Sequence, residues 1–60
     1  MTQIQFQKKV NVARSTGSAL LPDDCLLYYR GNNEFAAYDG NGNCIEVSKN
    51  GAKALEYLFV

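Results

Sequence analysis

The run Asp39-Gly40-Asn41-Gly42-Asn43 places oxygen-bearing side chains at alternate positions, the spacing with which an EF-hand loop begins to wrap calcium. That chemistry also needs glycine at the sixth loop position and a bidentate glutamate at the twelfth. Cys44 and Asn50 stand there instead, so the run reads as a tight hairpin turn. Cys25 and Cys44 are the only thiols, and histidine is absent. Two thiolates leave a tetrahedral zinc ion short of ligands unless two chains pool four. As a nucleophile either thiol would need a base or a cation beside it, whereas Cys25 follows Asp23 and Asp24, whose charges act the other way. Arg14-Ser15-Thr16-Gly17-Ser18 has the small polar character of a phosphate-cradling loop, but no Gly-Lys-Ser/Thr occurs anywhere. Asp23 and Asp24 could do acid–base work only in a dry cleft, and neighbours in a loop are solvated. So short a chain is also not expected to enclose a pocket of roughly 300 Å³ or more. No catalytic residue, metal site or cofactor is therefore expected, and an enzyme is not.

Six Lys and Arg balance six Asp and Glu, whereas a chain devoted to gripping nucleic acid carries a clear basic excess. The charges are nevertheless segregated. Lys8, Lys9 and Arg14 are the only ones in the first twenty residues; Asp23, Asp24, Glu34, Asp39 and Glu46 then face only Arg30 up to position 46. Such polarity suits the steering of a charged partner. A content of 47% hydrophobic and 20% charged residues belongs to a folding chain and not to a disordered one. Sixty residues make a single domain, 1–60, with a core small enough that disulfides, a metal or a partner chain usually supplement it. Met1–Gln5 lacks the apolar segment of a secretion signal, and no run approaches the ~20 apolar residues of a membrane span. A cytoplasmic protein is expected, with no membrane contact and with Cys25 and Cys44 reduced and packed as small hydrophobes.

The elements that must position these residues are read from periodicity and turn signals. Ile4, Phe6, Val10 and Val12 alternate with polar residues, which predicts a first strand over residues 3–12, with Lys8 marking a bulge or a protected edge. Residues 13–24 hold Gly, Ser, Thr, the only Pro and two Asp, and read as a loop long enough to be functional. Cys25–Arg30 is a second strand, Gly31-Asn32-Asn33 a turn, Glu34–Asp39 a third strand and Cys44–Val47 a fourth. Ser48 reads as the N-cap of a helix over residues 49–59, whose apolar stripe is Ala52, Leu55, Leu58 and Phe59. A fifth strand is the alternative there. The expected architecture is α+β: a small twisted antiparallel sheet of about four strands with one C-terminal helix packed on one face, β-β-β-β-α.

Turn length then decides which side chains share a face. With even-numbered loops, Leu27, Tyr29, Ala36, Tyr38, Ile45 and Val47 lie together under the helix. Leu26, Tyr28, Arg30, Phe35, Ala37, Asp39, Cys44 and Glu46 lie on the other side, which either the N-terminal strand or a partner covers. Tyr, Phe and Arg are favoured at interface cores, so Tyr28, Arg30, Phe35 and Glu46 are the expected partner-binding residues. The expected function is non-catalytic binding of another protein through that face or the 13–24 loop, as an inhibitor, adaptor or antitoxin-like accessory protein of phage or plasmid type. A homodimer is a further expectation. The alternative is a small nucleic-acid-binding domain that stacks bases on the sheet aromatics and holds phosphates with Lys8, Lys9 and Arg14, although Glu34, Asp39 and Glu46 on the same strands would repel them. In element order alone, hairpins running into a capped helix resemble the DNA-binding arms of phage integrases and the partial fold of HicB-type antitoxins.

Overall fold

Phe6, Val10 and Ala13 recur at the i, i+4, i+7 spacing of one helical face, and in a computed structural model covering residues 1–60 they are the buried residues of a helix, α1 (Gln3–Thr16). This corrects the strand expected over residues 3–12. Phe6 and Val10 belong to both a two-residue and a 3.6-residue period. The helical solution adds Ala13 to the core and leaves Ile4 (71% exposed) and Val12 outside. Lys8, which interrupted the alternation, is simply on the outer surface. Both ends of α1 are specified locally. The Thr2 hydroxyl accepts the Gln5 N–H at 3.1 Å while Gln5 Oε1 accepts the Thr2 N–H at 2.9 Å, a reciprocal capping box that satisfies two otherwise orphan donors. Gly17 closes the other end in the left-handed conformation (φ 100°), its N–H donating to Ala13 O.

The sheet is a meander of four antiparallel strands in the order β1 (Ser18–Leu20), β2 (Leu26–Gly31), β3 (Glu34–Tyr38) and β4 (Cys44–Ser48). The 13–24 segment is therefore no single loop. It holds the last turn of α1, all of β1, and a 3-10 turn at Pro22–Asp24. Asp23 and Asp24 in that turn are left-handed (φ 58° and 61°), a conformation Asp tolerates better than most residues.

The helix expected over residues 49–59 is instead a 3-10 helix confined to Lys53–Leu58. Ser48 Oγ donates to Gly51 O at 2.6 Å instead of capping an α-helix, and Gly51 turns the chain through φ 87°. That left-handed residue ends any helical track before Ala52. Helix first, sheet second and a short 3-10 helix last replace the β-β-β-β-α order, and with it goes the likeness to integrase arms and HicB-type antitoxins.

The core lies between α1 and one side of the sheet. Phe6, Val10 and Ala13 meet Ala19, Leu27, Phe35 and Ala37, and Leu21, Ala52 and Leu55 close the ends. Alanines at positions 13, 19 and 37 let the helix approach closely. Phe59 stacks on Phe6 with centroids 6.1 Å apart. The Met1 ammonium donates to Phe59 O at 2.9 Å and Gln3 Nε2 to Glu56 Oε1 at 2.7 Å, so the two chain ends are tied together.

One residue corrects the predicted face assignment. Tyr29 pairs with Phe35, but Gly31 pairs with Glu34, which leaves Arg30 as an extra residue on β2. Such a bulge rotates everything beyond it by one position relative to β2. Gly31, Asn32 and Asn33 all have positive φ, so the hairpin uses a left-handed two-residue turn preceded by a left-handed glycine. The covered face therefore carries the rungs Ala19–Leu27–Ala37–Glu46 and Tyr29–Phe35–Ser48. The opposite face carries Ser18–Tyr28–Ala36–Val47 and Leu20–Leu26–Tyr38–Cys44. The expected grouping of β3 with β4 survives for Phe35, Ala36, Ala37, Tyr38, Glu46 and Val47, but Ile45 bulges out of the ladder and Cys44 crosses to the side of Tyr38; what is inverted is the phase of β3 and the rest of β4 against β2.

Candidate functional site

No element of the chain packs across the second face of the sheet. Leu20 is 61% exposed, Ile45 43%, Tyr28 39% and Val47 38%, while Ala36 is buried between its neighbours on adjacent strands. Alternation on β2 raises Leu26, Tyr28 and Arg30 on this side, and the Arg30 bulge brings Tyr38 to join them. The Tyr28 and Tyr38 rings meet edge to face, 5.2 Å apart at 89°, the arrangement favoured by the quadrupoles of aromatic rings. Arg30 reaches along the face to donate to Tyr38 Oη at 2.7 Å and pairs with Glu34 Oε2 at 3.4 Å. The Tyr38 hydrogen bond first, and Glu34 second, hold the guanidinium pKa above its ordinary value.

Leu26, Tyr28, Arg30 and Tyr38 line an open groove of about 530 Å³ that ends against Asp24, Asp39 and Gly40. A recess of this size was not expected from so short a chain; it forms because a sheet face left uncovered needs no enclosing walls. At the acidic end, Asp39 Oδ1 accepts the N–H groups of Asn41 and Asn43, each at 2.9 Å. Asp39 therefore organises its own hairpin loop, and the Asn43 backbone donor first of all holds the carboxyl below its ordinary 3.8. Gly40 lies against Asp24 so closely that a Cβ there would stand 3.1 Å from Asp24 Cβ. The two carboxylate-bearing segments thus abut at one end of the groove.

Of the four expected partner-binding residues, Tyr28 and Arg30 lie together in this groove. Phe35 and Glu46 lie on the other side of the sheet. Phe35 is fully buried, with the Arg14 guanidinium 5.3 Å from its ring centroid. Glu46 is half-buried and accepts the Tyr57 hydroxyl at 3.0 Å, which raises the Tyr57 pKa. Tyr38, Leu26, Leu20 and Val47 take the places that Phe35 and Glu46 were given. The signal for this exchange lay in Gly31-Asn32-Asn33, where three successive residues tolerate positive φ although a two-residue hairpin turn needs only two.

The basic residues belong to the other side. Lys8, Lys9 and Arg14 are on α1, and Arg14 is already engaged with Asn33 Oδ1 at 3.2 Å and with the rings of Tyr29 and Phe35. The thiols are both free; Cys25 is half-buried against the core, but Cys44 is exposed and is not packed as a small hydrophobe. No helix is long and apolar enough to cross a membrane. Comparison with protein-family models, with curated proteins and with solved structures finds no match.

Proposed function

We propose that the chain is a non-catalytic protein-binding module, of the inhibitor or adaptor kind, and that it works through the uncovered face of its sheet. One observation carries this reading: Leu20, Leu26, Tyr28, Tyr38 and Val47 form a continuous apolar and aromatic surface on the side of the sheet that α1 does not cover. Contiguous apolar surface of this kind on a small chain marks interaction sites, and Tyr and Arg supply much of the energy at the centre of interfaces. A nucleic-acid reading would need the aromatics and the bases on one surface. Here Tyr28 and Tyr38 share their side with Asp24 and Asp39, while Lys8, Lys9 and Arg14 sit on the helix packed against the opposite side.

The test is retention of a native partner on the immobilised chain. Tyr28→Ala and Leu20→Ser should abolish retention while thermal unfolding stays cooperative and close to that of the parent. Retention undiminished by both substitutions would remove the sheet face from the function. Light scattering on a size-exclusion column separates a second copy of the chain from a foreign partner.

A further inference from the structure

The uncovered face is not electrically neutral. Its groove is lined by two carboxylates, Asp24 and Asp39, and by one cation, Arg30. Arg30 is already spoken for: it forms the chain's only ion pair, with Glu34, and its other hydrogen bond goes to Tyr38. Neither groove carboxylate has a cation of its own. Asp39 spends one oxygen on the N–H groups of its loop, and Gly40, the next residue along, lies against Asp24. Next to this anionic end lies the Tyr28–Tyr38 pair, and aromatic faces attract cations within about 6 Å of their centroids.

We infer that the groove receives a basic side chain from an extended segment of a partner protein, its aliphatic stem lying along Leu26 and the tyrosines and its charged head between Asp24 and Asp39. This rests on the protein-binding reading above and adds the chemistry of the occupant. Lys and Arg are suited to such a place because they bury an apolar stem while the head keeps polar company. A second copy is a poorer occupant, because the one cation that lines its own groove, Arg30, is already engaged with Glu34 and Tyr38.

The probes are two short peptides, one alternating Lys with Leu and Ser and one with Glu in place of every Lys, titrated into the isotope-labelled full chain and followed by NMR. The lysine peptide should shift the amides of Leu26, Tyr28, Tyr38 and Gly40, and its affinity should fall as salt rises. Asp24→Asn should weaken it roughly two- to fivefold with no loss of folding, because Asn tolerates the left-handed backbone of position 24 at least as well as Asp. Equal binding of the glutamate peptide at the same amides, or an unchanged affinity in Asp24→Asn, would overturn the cationic occupant and leave the face as a contact surface. Shifts at these amides on raising protein concentration alone would overturn it in favour of a second copy. Shifts produced by an oligothymidylate would overturn it in favour of a nucleic acid. If no probe moves these amides and Tyr28→Ala retains the native partner, both readings fail.

Discussion

Phe35 and Tyr28 are both aromatic strand residues, and their sequence surroundings do not distinguish them. Their environments differ completely. Phe35 is wholly enclosed by the core, while Tyr28 is 39% exposed on the open face. Phe35→Ala should therefore cost about 3–5 kcal/mol, which is comparable to the whole stability expected of so short a chain, and thermal melts followed by circular dichroism should show an unfolded or barely folded protein. Tyr28→Ala gives up mainly its edge-to-face contact with Tyr38, about 1 kcal/mol, and should lower the melting temperature by only about 4–8 °C. Asp39 makes a prediction of a different type. Its carboxyl is held below its ordinary 3.8 by the loop's N–H groups, so its contribution is complete above the ordinary value and is lost as pH falls through the folded one. The melting temperatures of the parent and Asp39→Ala should differ by a constant amount from neutral to mildly acidic pH and converge in stronger acid. A difference that persists at the lowest pH would mean that the loop is held by something other than the Asp39 charge. The hairpin role of Asp39–Asn43 was legible because the turn chemistry is local. The burial of Phe35 was not, because it depends on whether one residue, Arg30, is counted into the ladder.

At the scale of elements, legibility followed the strength of local signals against periodicity. Residues 26–48 show three strands and two turns by their composition, and all three strands form. The N-terminal element was misread because four apolar residues in QIQFQKKVNV satisfy the strand period, whereas the helical one is completed only by Ala13, beyond that run. The decisive marks were Thr2 with Gln5 three residues on, and Gly17 at the far end. Thr2→Ala should cost about 1 kcal/mol through loss of the cap. Gly17→Ala meets no steric obstacle but forces a side chain into left-handed backbone, at about 1–2 kcal/mol. Both should appear as lower urea midpoints with unchanged slopes. The C-terminal segment was misread in the reverse direction. Its residues favour a helix, but Gly51 starts it from a left-handed turn and Leu55 is the only side chain of Lys53–Leu58 that is buried. Too little packing remains to draw out more than a 3-10 helix.

Over the whole molecule the two sides of the sheet differ in what covers them. One is consumed in building the core with α1; the other is free, aromatic and acidic at one end. The sequence showed a sheet with a surplus face, but the element that covers the first face was placed at the wrong end of the chain, and so the surplus was assigned to a mixture of residues from both sides. The bond between the Met1 ammonium and Phe59 O has its own consequence. A chain whose ends touch is close to a closed ring, and where a ring is cut matters little to its interior. Joining residue 60 to residue 1 by a short linker and opening the chain between Asn41 and Gly42 should give a circular permutant that keeps the fold of the parent, and its amide spectrum would differ only near the old junction and the new ends.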